Sequence, residues 1–405
     1  MKNREMYIQQ LKQWKDKNII KVITGMRRSG KSTILNLFRE NLLDMGISVE
    51  NTIHINFENL KNEELLDYRK LNDYIINKIK DNGKYYIFLD EIQLVPQFEK
   101  TINSIFLNNR LDIYITGSNA NLLSSEIATL LTGRYIEIEM FPLSYKEYTY
   151  FVGNKKSDEE NFLDYIKFGG MPYTTELNLQ QKNIYDYLKG IFDTVVVKDI
   201  IIRNNLKDVQ TLYSVVNFLF DNIGNATSMN KISNTLSSNG KKTNAVTVDN
   251  YVKYLLDAYI IYEIKRYDIK GKEFLKTQGK YYISDIGLRN AVLGLRNIDQ
   301  GHILENLVFL ELKRRGYEIA IGKIGDLEVD FIATNETEKV YIQVAQTILN
   351  PDTLSRELKS FRGIKDNYPK LLITQDKTLN NDFQGIRHIN ILDFLLVEPH
   401  SSITN

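Results

Sequence analysis

Gly25-Met26-Arg27-Arg28-Ser29-Gly30-Lys31-Ser32 lies between an apolar run, Ile19-Ile20-Lys21-Val22-Ile23-Thr24, and a segment with apolar residues three and four apart, Thr33-Ile34-Leu35-Asn36-Leu37-Phe38. The run reads as a strand and the segment as a helix. A G-x-x-x-x-G-K-S loop in that setting decides the fold, because each fixed position has its own task around a triphosphate. The glycines let successive backbone N–H groups turn inward around phosphates. Lys31 supplies a mobile cation for the β- and γ-phosphates, Ser32 a hydroxyl for Mg²⁺, and the helix its positive end. Gly25, Arg27, Arg28, Ser29, Gly30, Lys31, Ser32 and Thr33 are therefore the candidate nucleotide-binding residues, with ATP and Mg²⁺ as the implied ligands. The bland alternative is a simple strand-to-helix turn.

Four more apolar segments follow, at 52–57, 85–89, 112–116 and 135–140, most of them separated by helical patterns. That alternation predicts an α/β fold with a parallel sheet and crossover helices. The segment Tyr86-Ile87-Phe88-Leu89 runs into Asp90-Glu91. Asp90 suits the Mg²⁺ side of a phosphate site, and Glu91 suits the base that polarises an attacking water. A solvated strand edge or helix cap is the alternative. One strand separates the loop from this acid pair, the order of the ASCE-type P-loop branch, in which an extra strand sits between the two motif strands. Ile115-Thr116-Gly117-Ser118-Asn119 ends the next strand. Ser118 and Asn119 are candidates for sensing the γ-phosphate, or for capping a helix expected over 120–131. Arg134, after Thr132-Gly133, could reach a phosphate in its own chain, reach the nucleotide of a neighbouring subunit, or simply lie on the surface.

Composition sets outer bounds. A chain of 405 residues predicts two or three domains, and the net charge of +1 argues neither for nor against nucleic acid. Without cysteine there are no disulfides or thiolate metal sites. No apolar run reaches membrane-spanning length, and no secretory stretch follows Met1-Lys2-Asn3-Arg4-Glu5, so the expectation is a cytoplasmic protein without a membrane partner.

The motifs Gly25-x-Arg27-Arg28-x-Gly30-Lys31-Ser32, Asp90-Glu91-Ile92-Gln93, Thr116-Gly117-Ser118 and Gly133-Arg134 with Pro142-Leu143-Ser144 together resemble a family of bacterial and archaeal AAA+-type ATPases. The resemblance covers nearly the whole chain. It implies a P-loop NTPase followed by a helical lid, a winged helix-turn-helix and a C-terminal α/β domain of restriction-endonuclease-like, PD-(D/E)XK, fold. The corresponding boundaries are 1–145, 146–205, 206–280 and 281–405. In related ATPases a Gly-x-Pro turn of the lid packs near the adenine, which makes Pro172 of Phe168-Gly169-Gly170-Met171-Pro172 a cofactor candidate; a plain interhelical turn is the alternative.

The residues of the later segments agree with that outline. A small helix at 229–236, a polar turn at Lys241-Lys242-Thr243-Asn244, an amphipathic helix at 247–258 and a strand-like 259–264 describe a winged helix. Lys241, Lys242, Asn244, Asn250 and Lys253 would meet double-stranded DNA, or the unit would pack against protein. Further on, Glu305 on a helix, Asp330 on a hairpin strand and Gln343 on the next strand follow the order of a PD-(D/E)XK core. That chemistry needs hard oxygen ligands at one point and a lysine to orient water. Gln343 replaces the second acid and Ala345 the lysine, with Lys339 and Lys313 as the other cations to consider, so the expectation is a degenerate nuclease site. None of His54, His302, His388 and His400 has a partner at metal spacing.

The sequence therefore predicts an ATP-binding, Mg²⁺-dependent hydrolase that drives conformational change, with DNA, a protein client or self-association as candidate partners. The alternatives are a nucleotide-dependent signalling or assembly switch without DNA, and an ATP-dependent nuclease.

Overall fold

The computed structural model of the chain describes residues 2–120, 133–153, 156–177, 181–295, 300–377, 382–397 and 403. Residues 121–131 of the helix expected over 120–131, and His400, lie outside them. The chain forms two compact units, Met1–Pro142 with Asp257–Tyr259, and Leu143–Leu256 with Ile260–Asn405.

The first unit is built on five parallel strands, β1 (Ile20–Thr24), β2 (Thr52–Asn56), β3 (Tyr85–Asp90), β4 (Leu111–Thr116) and β5 (Tyr135–Glu139), in the order β2-β3-β4-β1-β5. Every residue of β1, β3 and β4 is buried, as parallel strands covered on both faces require. Alternation divides their side chains between two layers. Ile20, Val22, Ile87, Leu89, Ile113 and Ile115 pack with the helices Tyr68–Lys78 and Phe98–Phe106. Ile23, Tyr86, Phe88 and Tyr114 pack with α1 (Glu5–Trp14) and α2 (Lys31–Asp44). Lys21 and Asp112 form an ion pair buried within this sheet core, and Asp112 also accepts from the Tyr114 hydroxyl at 2.9 Å. β4 stands between β1, which enters the glycine loop, and β3, which ends at Asp90.

The second unit holds a mixed seven-stranded sheet in the order β12-β11-β10-β9-β8-β6-β7. Its strands are β6 (Ile261–Asp268), β7 (Glu273–Ile283), β8 (Glu318–Ile324), β9 (Leu327–Thr334), β10 (Lys339–Val344), β11 (Lys370–Thr374) and β12 (Arg387–Asn390). The helix Gln300–Arg314 packs across β7 to β10. The helices Met229–Ser238 and Ala245–Asp257 appear where the helix-turn-helix was expected. The two strands that follow do not form a separate wing, because β6 pairs in parallel with β8 and so joins the C-terminal sheet. A boundary at 280/281 would cut β7. An α-helix from Gln181 to Thr194 continues as a π-helix from Val195 to Ile202.

The double glycine at 169–170 answers to close packing. A Cβ on Gly169 would lie 2.2 Å from Asp285 Oδ1, and one on Gly170 2.3 Å from the Leu143 carbonyl oxygen. Asp285 caps the helix Ile286–Leu293 and accepts from Gly170 N at 2.6 Å, so the glycines let the backbone reach this buried carboxylate.

Candidate active site

The loop is shaped by what surrounds β1. Gly25 has φ +127°, and a Cβ there would stand 2.2 Å from the Met140 carbonyl oxygen. Only glycine fits. Gly30, at φ 104°, leads into α2 and offers no capping side chain, so the positive end of a 14-residue helix faces the loop. Lys31 is buried, with Nζ donating to the Gly25 and Met26 carbonyls at 3.0 Å each. Ser29 is buried too, and its hydroxyl has no hydrogen-bond partner among the described residues.

The acids lie where β3 ends, beside the ends of β2 and β4. Asp90 is fully buried. Its Oδ1 accepts from Ser32 Oγ at 3.0 Å and Thr116 Oγ1 at 2.6 Å, and its Oδ2 from Asn56 Nδ2 at 2.7 Å. Burial pushes Asp90 above the ordinary aspartate range, against the opposing pull of the Thr116 and Ser32 hydroxyls. Glu91 follows in a left-handed conformation at φ 57°, uncommon for a side chain of its size and a pointer to function. Its amide donates to Thr116 Oγ1 at 2.9 Å, while its carboxylate accepts from Ser118 Oγ at 3.1 Å and from Gln93. Ser32, Asp90, Glu91 and Ser118 are thus brought together, and Asn119 is buried next in the chain.

The remaining expected residues separate. Arg27 forms an ion pair with Glu58 at 2.9 Å, Arg28 is exposed, and Thr33 is half-buried on α2. Arg134 corrects one expectation. Its carbonyl accepts from Ile20 N at 2.9 Å, which puts it at the start of β1, one strand length from the loop. Its guanidinium lies 5.6 Å from the Phe106 ring centroid. Contact with a phosphate of its own chain does not fit that position. Pro172 opens the 3-10 turn Pro172–Thr175 in the second unit.

In the second unit Glu305 and Asp330 converge on one lysine, and Gln343 lies beside them, its Oε1 accepting from Asp330 N at 3.3 Å. The lysine among them is Lys280, at 2.8 Å from Glu305 and 3.6 Å from Asp330. Lys339, considered for that place, instead has its ammonium 5.0 and 4.9 Å from the Tyr341 and Tyr368 rings. Lys241, Lys242, Asn244, Asn250 and Lys253 are exposed, although Asn244 caps its helix by accepting from Thr247 N at 2.9 Å, and Lys241 donates to Ser214.

Several functional candidates escaped the sequence reading. Arg4, buried at the start of α1, donates through Nη1 to the Ser29 carbonyl at 3.0 Å and the Phe141 carbonyl at 2.8 Å, and so braces the loop. Asn56, Gln93 and Thr116 hold the acids. Thr116 carried a signal as a polar residue ending a strand beside Gly117-Ser118, and Gln93 carried one as a member of the Asp90-Glu91-Ile92-Gln93 motif.

This loop and acid arrangement defines a P-loop class of domain, and residues 17–149 match the family described as AAA domain. Residues 159–299 match a domain of unknown function. The chain is 42% identical over 403 residues to an uncharacterized protein of Haemophilus influenzae, covering 98% of this chain and 99% of that one. It is 33% identical over 397 residues to the uncharacterized protein MJ1544 of Methanocaldococcus jannaschii, covering 93% and 85% respectively. The chain belongs to the family of AAA-domain proteins that these two relatives represent. Among solved structures, the Aeropyrum pernix ORC1 protein in complex with DNA aligns with 72% of this chain and 92% of its own at 12% identity, with a TM-score of 0.33. Among the described residues no helix is long and apolar enough to cross a membrane.

Proposed function

We propose that this protein is an ATPase whose site is the loop 25–33 with Asp90 and Glu91. The observation that carries the reading is the meeting of Ser32, Asp90 and Thr116 within hydrogen-bond distance, with Glu91 tied to Thr116 and Ser118 at the same strand ends. Ligands of α/β sheets bind at such carboxyl ends. The loop amides, the end of α2 and Lys31 hold the phosphates. Mg²⁺ typically takes one or two protein oxygens beside phosphate oxygens, and the Ser32 hydroxyl and Asp90 carboxylate suit that role. When bound it supplies neutralisation of the phosphate charge. Glu91 takes a proton from the attacking water, while Ser118 and Gln93 fix the orientation of its carboxylate. Asn119 completes the γ-phosphate side, and Arg134 serves the nucleotide of a neighbouring copy.

Hydrolysis would drive rearrangement of the second unit. There we assign 146–205 to a lid, with Pro172 as its cofactor candidate, the helices of 209–257 to a helix-turn-helix without a separate wing, and the sheet β6 to β12 with its helices to a restriction-endonuclease-like domain. Lys242, Asn250 and Lys253 form its candidate DNA face. Glu91→Gln is expected to keep nucleotide binding and lose turnover by about a hundredfold or more. Undiminished hydrolysis would remove Glu91 from its role. ATPase rates measured with and without duplex DNA, at two salt concentrations, test the DNA face; an unchanged rate would favour the nucleotide switch.

A further inference from the structure

Lys280 and Tyr282 lie two residues apart on β7, as do Glu328 and Asp330 on β9, so each pair shares one face of the sheet. Glu305 reaches the same point from the helix Gln300–Arg314. The Lys280 ammonium stands 2.8 Å from Glu305 Oε1, 3.0 Å from Glu328 Oε1 and 3.6 Å from Asp330 Oδ1. Its side chain is 5% exposed, and those of Glu305 and Asp330 are 6% and 12% exposed.

The donor set does not suit the divalent cation that a PD-(D/E)XK fold implies. Both oxygens of Glu305 are engaged, Oε1 by Lys280 and Tyr282 and Oε2 by His302 at 3.2 Å. Asp330 Oδ2 accepts from Val344 N at 2.9 Å. The Gln343 oxygen accepts from Asp330 N, and its amide nitrogen donates to Glu357 at 2.9 Å. Among the described residues no group of three or more His, Cys, Asp or Glu side chains is arranged to hold a metal ion. A hard cation needs several oxygens of low prior commitment converging at 2.0–2.6 Å.

We propose that the Lys280 ammonium takes the position of the divalent cation among Glu305, Glu328 and Asp330, making the cluster a closed, metal-free ion lattice. One positive charge at the convergence point pairs with Glu305 and Glu328, while burial and the Glu305 carboxylate push Asp330 above the ordinary aspartate range against the pull of Lys280, so that a proton relieves part of the remaining negative charge. Burial works against the ammonium, but Glu305, Asp330 and Glu328 outweigh it and hold Lys280 above the ordinary lysine range. Gly224 lies against the cluster on the His302 side. A Cβ there would meet His302 Nδ1 at 2.7 Å and Glu305 Oε2 at 3.1 Å.

The test is Mn²⁺ titration of the nucleotide-free full chain, followed by electron paramagnetic resonance, with Lys31→Ala to silence the phosphate loop. The Lys280-bearing chain is expected to bind no Mn²⁺ through Asp330. Adding Lys280→Ala is expected to create one Mn²⁺ site at least about tenfold tighter, to make the melting temperature rise with Mn²⁺, and to lose both effects with Asp330→Asn. Mn²⁺ bound to the Lys280-bearing chain and released by Asp330→Asn would overturn the proposal. So would a folded Lys280→Ala protein with no gain, or Mn²⁺-dependent nicking of DNA that Asp330→Ala abolishes. Should Lys280→Ala not fold, the titration of the Lys280-bearing chain decides alone. With the phosphate loop silenced, the outcome does not depend on the ATPase reading.

Discussion

Asp90 and Asp330 both end in a knot of buried hydrogen bonds, but the two knots are balanced differently. Asp90 receives two hydroxyls and one carboxamide, all neutral donors, from Ser32, Thr116 and Asn56. Asp330 receives a backbone amide and has a lysine ammonium beside it that also bridges Glu305 and Glu328. Neutral donors orient a carboxylate without cancelling its charge, so the first cluster stays attractive to a cation arriving with a ligand. A buried ammonium offsets part of that charge and occupies the place where a cation would sit. On the proposed readings, the difference separates a site suited to Mg²⁺ and nucleotide from one where a lysine occupies the cation's place.

The sharpest way to break this contrast is to remove each lysine. Lys280→Ala strands three carboxylates and is expected to cost about 3–5 kcal/mol of stability, read by denaturant unfolding, with nucleotide affinity unchanged. Lys31→Ala should do the reverse. It is expected to weaken nucleotide binding by about 2–3 kcal/mol, roughly 30- to 150-fold by calorimetry, with little change in unfolding. Matching effects from the two variants would erase the distinction.

A third carboxylate sharpens it. Asp285 is buried, and burial, opposed by hydrogen bonds from Gly170, Leu288 and Gly287 and by Arg314, pushes it up to about 6 from 3.8, in the same direction as burial and Glu305 push Asp330. Its folded-state value lies above the unfolded one, so its contribution to stability is complete below pH about 4 and lost as pH rises through about 6. The loss is about 2–3 kcal/mol. Asp285→Asn is expected to flatten the stability profile over that interval, and an unaltered slope would show that the buried carboxylate does not titrate as described. The smallest effect is expected for Asn56→Ala, about 1 kcal/mol or fivefold in turnover, since Asp90 keeps two of its three donors.

The legible part of this molecule is the part whose chemistry is contiguous. The loop reads directly because glycine geometry, lysine and serine occur within eight residues, and Asp90-Glu91 because an apolar strand runs straight into it. The five-stranded parallel sheet followed from the same spacing. Asn56 and Arg4 did not, since their partners lie 34 and 25 residues away and depend on strand order. Lys280 escaped for a further reason. Reading β6 and β7 as a separate wing placed a boundary inside β7, which divided the lysine from Glu305, Glu328 and Asp330. Gly169-Gly170 read as a turn because sequence shows backbone freedom but not the buried carboxylate that needs the close approach.

One measurement decides whether the open cluster works as a hydrolase, which is steady-state phosphate release from ATP with Mg²⁺ by the full chain and its Glu91→Gln variant, alongside nucleotide affinity. The expected result is slow but measurable turnover in the unaltered chain, a loss of about a hundredfold or more in the variant, and equal affinity in both. Equal turnover in the two proteins, or none in the unaltered chain despite bound ATP and Mg²⁺, would contradict the assignment of Asp90 and Glu91 as a hydrolytic pair.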